Sequence, residues 1–311
     1  MKINLANIKK AKKFLDKCDC VAVPTETVYG LAGNAYSDSA CNKIFRLKKR
    51  PKNNPLIVHY YDIQSLKKDC ELNDNFLKLY SKFCPGPITF VLNLKKNSKI
   101  SKFVTNNKKT LAVRFPKHPV TRCLLKKLNY PLAAPSANLS SKVSAVSTSD
   151  VKEDFGRKIK YVLEGGKSSI GLESTIVALN AKPKILRLGG LEVSNIKKIL
   201  KKKIYLDVNP KKVKSPGQFK VHYSPGIPIR LNSKAAKDEE AFLLLRKRKN
   251  MKKNFFCLSV NGNLKESAKN LYSMLRKIKK NKYKSIVVAK IPNVGLGKTI
   301  NDRLIRASKY K

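Results

Sequence analysis

YVLEGGKSSIGLESTIVALNAKPKILRLGG, residues 161–190, holds three apolar runs, YVLEGG, STIVALN and KILRLGG. Each run is short and stops at glycine or asparagine, and STIVALN is rich in β-branched residues, which is the pattern of short strands. The gaps between them are too short for the helical crossover that joins two parallel strands, so some neighbours must pair antiparallel. Helical stripes separate the apolar runs upstream. The fold class expected is therefore α/β, a twisted mixed sheet with flanking helices, with parallel and antiparallel pairs in the same sheet.

Upstream of this stretch, Ile3–Leu15 has helical spacing and CVAVP (Cys20–Pro24) is a buried strand opening into the loop TETVYG. Ser37 and Asp38 cap a helix whose Ala40, Ile44 and Leu47 share one face and which Pro51 forbids from continuing. Lys48, Lys49 and Arg50 fall at its exit, and the proline at 51 predicts that Arg50 projects away from the helix surface. LIVHY (Leu56–Tyr60), ITFVLNL (Ile88–Leu94) and TLAVRFP (Thr110–Pro116) read as strands. In the last, alternation puts Leu111, Val113 and Phe115 on one face and Arg114 among small neighbours on the other, where an arginine needs an anionic or polar partner. Pro119 starts a helix carrying Val120, Leu124 and Leu128, followed by PLAAP and the polar corner Ser136-Ala137-Asn138.

Downstream, periodicity stops between Asp207 and Gly226 while prolines and glycines accumulate, as in an ordered loop or interdomain linker. A second unit then alternates: a helix over Ala236–Arg248, a strand over Asn254–Val260, a helix with Leu264, Ala268, Leu271, Leu275 and Ile278 on one stripe, a strand over Ser285–Ile291 and a last helix. That order predicts a small Rossmann-like parallel sheet. The division expected is 1–206, a linker or lid at 207–226, and a small domain at 227–311. GLGKT (Gly295–Thr299) lacks the leading glycine of a phosphate-cradling loop, with Pro292 in its place, and reads as a turn into the last helix.

Apolar residues make up 42% of the 311, enough for packed cores, and the formal net charge is +48. Lysine doublets are spread along the whole chain rather than gathered in one arm, so nonspecific attraction to RNA is expected without a dedicated binding face. Seven cysteines form no CxxC pair and read as free thiols; with no signal peptide and no membrane-length apolar run, a cytoplasmic location and no membrane partner are expected. Three histidines leave little material for a zinc site or a histidine-centred triad.

PTETVYGLAGNAY, KKRPKNNPLIVH, CPGPITFVL, LAVRFP, PSANLSSKVS, GLESTIVALN and ILRLGG occur in this order. The chain thereby resembles the YrdC-like family of threonylcarbamoyl-AMP synthases, and SPGQFKVHYSPG with the tail NLYSMLR and GLGKTINDRLIRA resembles its longer, two-domain branch. The resemblance implies condensation of L-threonine, bicarbonate or CO2, and ATP to threonylcarbamoyl-AMP and pyrophosphate, with Mg2+ accompanying ATP. Downstream machinery would transfer the product to tRNA. Ser141 departs from the glycine usual at its position, and Ala145 from a common proline.

The resemblance places ATP contacts on Arg50, Asn54, Thr110, Ser136, Ser144, Arg187 and Tyr223, and threonine contacts on Thr27, His59, Arg114, Ala134 and Ser174. It makes Lys48 with Arg50 and Ser136 with Asn138 the catalytic signature, with no ligand for a metal assigned to the protein. The chemistry suits these residue types: a carbamate attacking a polyphosphate needs fixed positive charge, and an arginine fork can hold a carboxylate. Glu26 and Glu173 are expected to organise backbone. The linker's His222 and Tyr223 are expected to lie across the nucleotide. Two other readings stand beside this one: a carbamoyl-transfer enzyme like the hydrogenase maturation factors, whose zinc-finger cysteines are missing here, and a noncatalytic module that binds structured RNA on a basic sheet.

Overall fold

The computed structural model describes residues 3–179, 182–210, 216–219 and 221–309, so part of the 207–226 linker, including Lys214 and Lys220, lies outside the described residues. The first sheet contains β1 (Val21–Val23), β2 (Gly30–Asn34), β3 (Ile57–His59), β4 (Ile88–Asn93), β5 (Thr110–Arg114), β6 (Leu132–Ala133), β7 (Tyr161–Val162), β8 (Thr175–Ala178), β9 (Lys184–Arg187) and β10 (Tyr205–Leu206). Their spatial order is β10-β9-β8-β4-β5-β3-β6-β2-β1-β7. Pairing is mixed, as the spacing of residues 161–190 requires: β8 and β9 are antiparallel, β8 and β4 parallel, and β7 pairs parallel with β1 at the opposite edge.

Alternation along β5 works as expected, with Leu111, Val113 and Phe115 in the main core and Ala112 on the other face. Helix Asp38–Lys48 begins at Ser37, whose side chain accepts from Ala40 N, and ends at Lys49 in the left-handed conformation, a reversal that brings the chain back before Pro51.

The second sheet is wholly parallel and contains β11 (Ile229–Arg230), β12 (Glu240–Arg246), β13 (Phe255–Ser259) and β14 (Ser285–Val288), ordered β11-β14-β12-β13. Here the sequence expectation fails once: β12 replaces the helix expected at Ala236–Arg248. Its Ala241, Phe242, Leu243 and Leu244 are all buried, with neighbours on both faces. A strand covered on both faces loses alternation, and a continuous apolar run cannot be told from a buried helix by period alone. Helices Leu264–Lys280 and Leu296–Ser308 cover this sheet and also reach the first. No described helix is long and apolar enough to cross a membrane.

Ser141 has φ +66°, and its carbonyl accepts from Ser224 N at 2.9 Å, tying the linker to the corner after Asn138. A left-handed L-residue costs about 1–2 kcal/mol, partly offset in a glycine by its larger entropy loss of about 0.5–1 kcal/mol. Ser141→Gly should therefore raise stability by about 0.5–1 kcal/mol, read as a rise of about 2 °C in Tm; an unchanged or lower Tm would show that the serine is not strained.

Candidate active site

One end of the large sheet, across its interior strands, collects side chains from several strands. His59 and Arg114 end β3 and β5 and are partners in register; Thr89 on β4 sits beside Arg114, Ser174 precedes β8, and Arg187 ends β9 opposite Ile176. Gly30 and the Ala134–Ser136 corner close one side of the cleft, and Pro216, Gly217, His222 and Tyr223 of the linker close the other. Gly217 has φ +87°, and a Cβ there would lie 2.6 Å from Arg187 Cδ and 3.0 Å from the Tyr223 hydroxyl, so only glycine lets the linker approach this closely.

Three arginines line this cleft. Arg50 is 9% exposed rather than projecting from its helix: Nε donates to Asn54 O at 3.0 Å and Nη2 to Pro55 O at 2.9 Å. The turn at Lys49 folds it inward, which the sequence did not reveal. Burial first, then the like charge of Arg187, pushes Arg50 down to about 9. Arg187 donates from Nε and Nη2 to Ser174 O at 3.1 and 2.9 Å, and burial lowers its pKa. Arg114 meets the acidic partner its position called for: Nη2 donates to Glu26 Oε1 at 2.6 Å, while Glu26 Oε2 accepts from Lys117 N. Burial and the neighbouring Arg114 hold His59 well below the usual histidine range, so its ring is neutral.

Four polar atoms on the walls are buried with no hydrogen-bond partner among the described residues: His59 Nδ1, Arg114 Nε, His222 Nδ1 and the Tyr223 hydroxyl. An orphaned buried polar group is costly, so four in one cleft mark a surface built for a polar ligand. Tyr223 adds backbone strain: it is 1% exposed with φ +64°, a conformation unfavourable for an aromatic residue.

Of the residues proposed from sequence, Arg50, His59, Arg114, Ala134, Ser136, Ser174, Arg187 and Tyr223 line the cleft. The others stand behind it. Lys48 is buried, with Nζ donating to the carbonyls of Ser136 and Asn138, so it braces the corner rather than facing the opening. Asn138 donates to Leu139 O and Lys142 O; Asn54 offers its carbonyl to Arg50; Thr27 shares a hydrogen bond with Thr25. Ser144 Oγ donates to Glu173 Oε1 at 2.6 Å. Thr110 begins β5, at the far end of the strand from Arg114 and about 13 Å away at ~3.3 Å per residue.

Glu173 is more than the backbone organiser expected. Its carboxylate lines the cleft and accepts from Ser144, from the Tyr272 hydroxyl at 2.8 Å and from Arg303 Nε at 3.0 Å. Burial alone would raise its pKa, but Arg303, Arg187 and the Ser144 bond outweigh burial and hold it down to about 2. Arg303 also donates to Leu188 O and lies over the Tyr223 ring at 4.6 Å. Sequence reasoning missed Tyr272 and Arg303, although one signal was present: Arg303 falls on the buried stripe of Leu296, Ile300, Leu304 and Ala307, where a charge has to find a partner.

Residues 13–189 match the Sua5, YciO and YrdC family model described as telomere recombination, and residues 191–309 match that of the threonylcarbamoyl-AMP synthase C-terminal domain. The chain is 33% identical to the threonylcarbamoyl-AMP synthase of Pyrococcus abyssi, over 98% of this chain and 94% of that protein. It is 32% identical to the enzyme of the same name from Bacillus subtilis, with the same coverage of each. A crystal structure of P. abyssi Sua5 complexed with L-threonine is similar at a TM-score of 0.91 and 31% identity, covering 100% of this chain and 96% of that one.

Proposed function

The chain belongs to the two-domain family of threonylcarbamoyl-AMP synthases, and on that premise we propose that its arginine-lined cleft joins L-threonine, bicarbonate or CO2, and ATP into threonylcarbamoyl-AMP and pyrophosphate. It is an enzyme of the nucleotidyltransferase type. The observation that carries the site assignment is the convergence of Arg50, Arg114 and Arg187 with four unpartnered buried polar atoms in one cleft. A noncatalytic RNA-binding surface has no use for such groups below the surface.

In this reading Arg50 and Arg187 face the polyphosphate, where they offset the repulsion between an incoming carbamate and the α-phosphate and stabilise charge on departing pyrophosphate. Arg114 and His59, adjacent in register, take the threonine carboxylate and hydroxyl. Ser136, Ser174 and the Ala134 backbone fix orientation, which raises the effective concentration of the reactants. Asn54, Ser144, Thr27, Lys48 and Asn138 act through the walls they support, and Thr110, at the opposite end of β5 from the threonine-binding Arg114, is assigned to the ATP side. The division into 1–206, a lid at 207–226 and 227–311 belongs to the same proposal.

No group of three metal-ligating side chains exists among the described residues, and the carboxylate on the cleft wall, Glu173, is already engaged by Arg303, Tyr272 and Ser144. The cleft therefore does not fit a resident metal; Mg2+ would be held by the phosphates of ATP, and no step here depends on it. The adenylate would pass to machinery that modifies tRNA.

The direct test is pyrophosphate release from ATP, expected only when threonine and bicarbonate are both present. Release that ignores either one would reject the reaction. Tyr223→Phe gives a finer test. Because the hydroxyl has no hydrogen-bond partner among the described residues, its loss should leave stability unchanged or slightly higher, while a lost bond to nucleotide should raise the KM for ATP by about tenfold. A lower Tm with unchanged KM would make the hydroxyl structural.

A further inference from the structure

We propose that this cleft takes its amino-acid substrate with the amine unprotonated, as free amine or N-carboxylate, and that no protein base removes the third proton of the ammonium. The inference rests on the reading that L-threonine enters the cleft and specifies the form in which it does so.

Charge comes first. The walls present Arg50, Arg114 and Arg187 against the single carboxylate of Glu173, and behind them Lys48 and Arg303 stand against Glu26 and, on the far side of Arg303, Asp302. Glu26 and Glu173 are both committed: Glu26 to Arg114 and Lys117 N, Glu173 to Arg303, Tyr272 and Ser144. An ammonium would enter a net positive, low-dielectric space with no free counter-ion, whereas a neutral amine or a carbamate would not.

Much of the carbonyl capacity of the walls is also in use: the carbonyls of Val28, Tyr29 and Pro135 accept from Thr25 Oγ1, Ala137 N and Leu31 N, and those of Ser136, Ser174 and Pro216 accept from Lys48 and Arg187, so that Ala134 supplies a single backbone contact rather than a ring of acceptors. The unpartnered atoms are an arginine N–H, two nitrogens of neutral histidines and a phenol. They suit an anion and a neutral N–H. They do not supply the carboxylate or the ring of carbonyls that an ammonium requires.

The walls also lack a base of suitable strength. His59 is held well below the histidine range, His222 is pushed down to about 3 by burial, and Glu173 to about 2. Tyr29 is raised by burial and hydrogen-bonded to Gly166 O and Thr148. With the proton already left in solvent, the amine lone pair forms the N–C bond to CO2. One C–O π pair becomes the carboxylate, and the surplus N–H proton leaves to water.

Titration calorimetry of L-threonine into the full chain, in buffers of different ionisation enthalpy, tests this between about pH 6.5 and 8.5, below the titration of a free amino acid's ammonium, which has a carboxylate beside it instead of the amide that lowers a peptide's α-amine to about 7.7–8.0. Tyr223 at about 12 lies above this window and the two cleft histidines below it. Lys48, lowered by burial, and Arg50, whose value of about 9 borders the window, are the cleft cations whose titration could mimic the effect. The expected result is release of one proton per threonine bound and an affinity rising about tenfold per pH unit. 2,3-Dihydroxybutanoate, with hydroxyl in place of amine, should bind with neither effect. Threonine binding without proton release overturns the inference, and so does an equal pH slope for the analogue, which would assign the proton to the protein, at Lys48 or Arg50. Absence of threonine binding at every pH would instead remove the substrate assignment and the inference with it.

Discussion

Arg50→Ala is expected to slow threonylcarbamoyl-AMP formation by about 10²–10³-fold, the usual loss when one preorganised charge at a reacting centre is removed. The charge of Arg187 disfavours that of Arg50, while Arg187 itself is only partly compensated by Glu173, which it shares with Arg303. A polyanion relieves that repulsion, so the pair is poised for phosphate before phosphate arrives. Stability should fall too, by about 1–3 kcal/mol, because the carbonyls of Asn54 and Pro55 lose their donor in a buried setting. The two effects separate in Arg50→Lys: an ammonium keeps charge but cannot span both carbonyls, so it should recover part of the rate and less of the stability. Pyrophosphate release in a single turnover, with urea denaturation of the same samples, measures both. Near-normal turnover in Arg50→Ala would make the residue scaffolding.

Arg303→Met should cost about 3–5 kcal/mol, since it strands the Glu173 carboxylate inside the protein with its strongest counter-charge gone. Adding Glu173→Gln should restore part of that loss, as an amide asks less of its surroundings than an unpaired charge. The pH dependence has a definite direction. Glu173 is depressed in the folded state, so its contribution is fully present above the ordinary glutamate value of 4.5 and is lost as pH falls toward about 2. In Arg303→Met the folded-state value rises, and acid unfolding should begin at higher pH than in the parent. An unmoved acid transition would show that Arg187 and the Ser144 bond suffice to hold the carboxylate.

Much of this was legible in residues 161–190, because strand spacing alone demanded antiparallel neighbours, and alternation in TLAVRFP alone set Arg114 apart. The ligand-facing list came from resemblance, and it sorted unevenly once folded. Where a residue ends a strand, as His59, Arg114 and Arg187 do, sequence position and cleft position coincide. Where it sits on a turn, they part: Arg50 turns inward because Lys49 adopts φ +50°, a conformation no spacing rule announces for lysine. β12 was misread because burial on both faces erases period two. Glu173 and Arg303 are 130 residues apart, and nothing local in either segment points to the other.

Helix Leu296–Ser308 also holds the linker. Arg306 donates to Phe219 O, Val208 O and Asn209 Oδ1, and accepts through its own carbonyl from His222 N. During synthesis, the first sheet can assemble while the cleft beside it still lacks its far wall, since Tyr223 has no cation over its ring and Glu173 lacks its direct ion-pair partner until residue 303 has been added. A chain interrupted anywhere before that residue would carry the cleft arginines and yet leave Glu173 without its ion-pair partner. Competence is thus tied to completion: fragments that fold should be poor at consuming ATP, a useful property for an enzyme whose product is a reactive mixed anhydride.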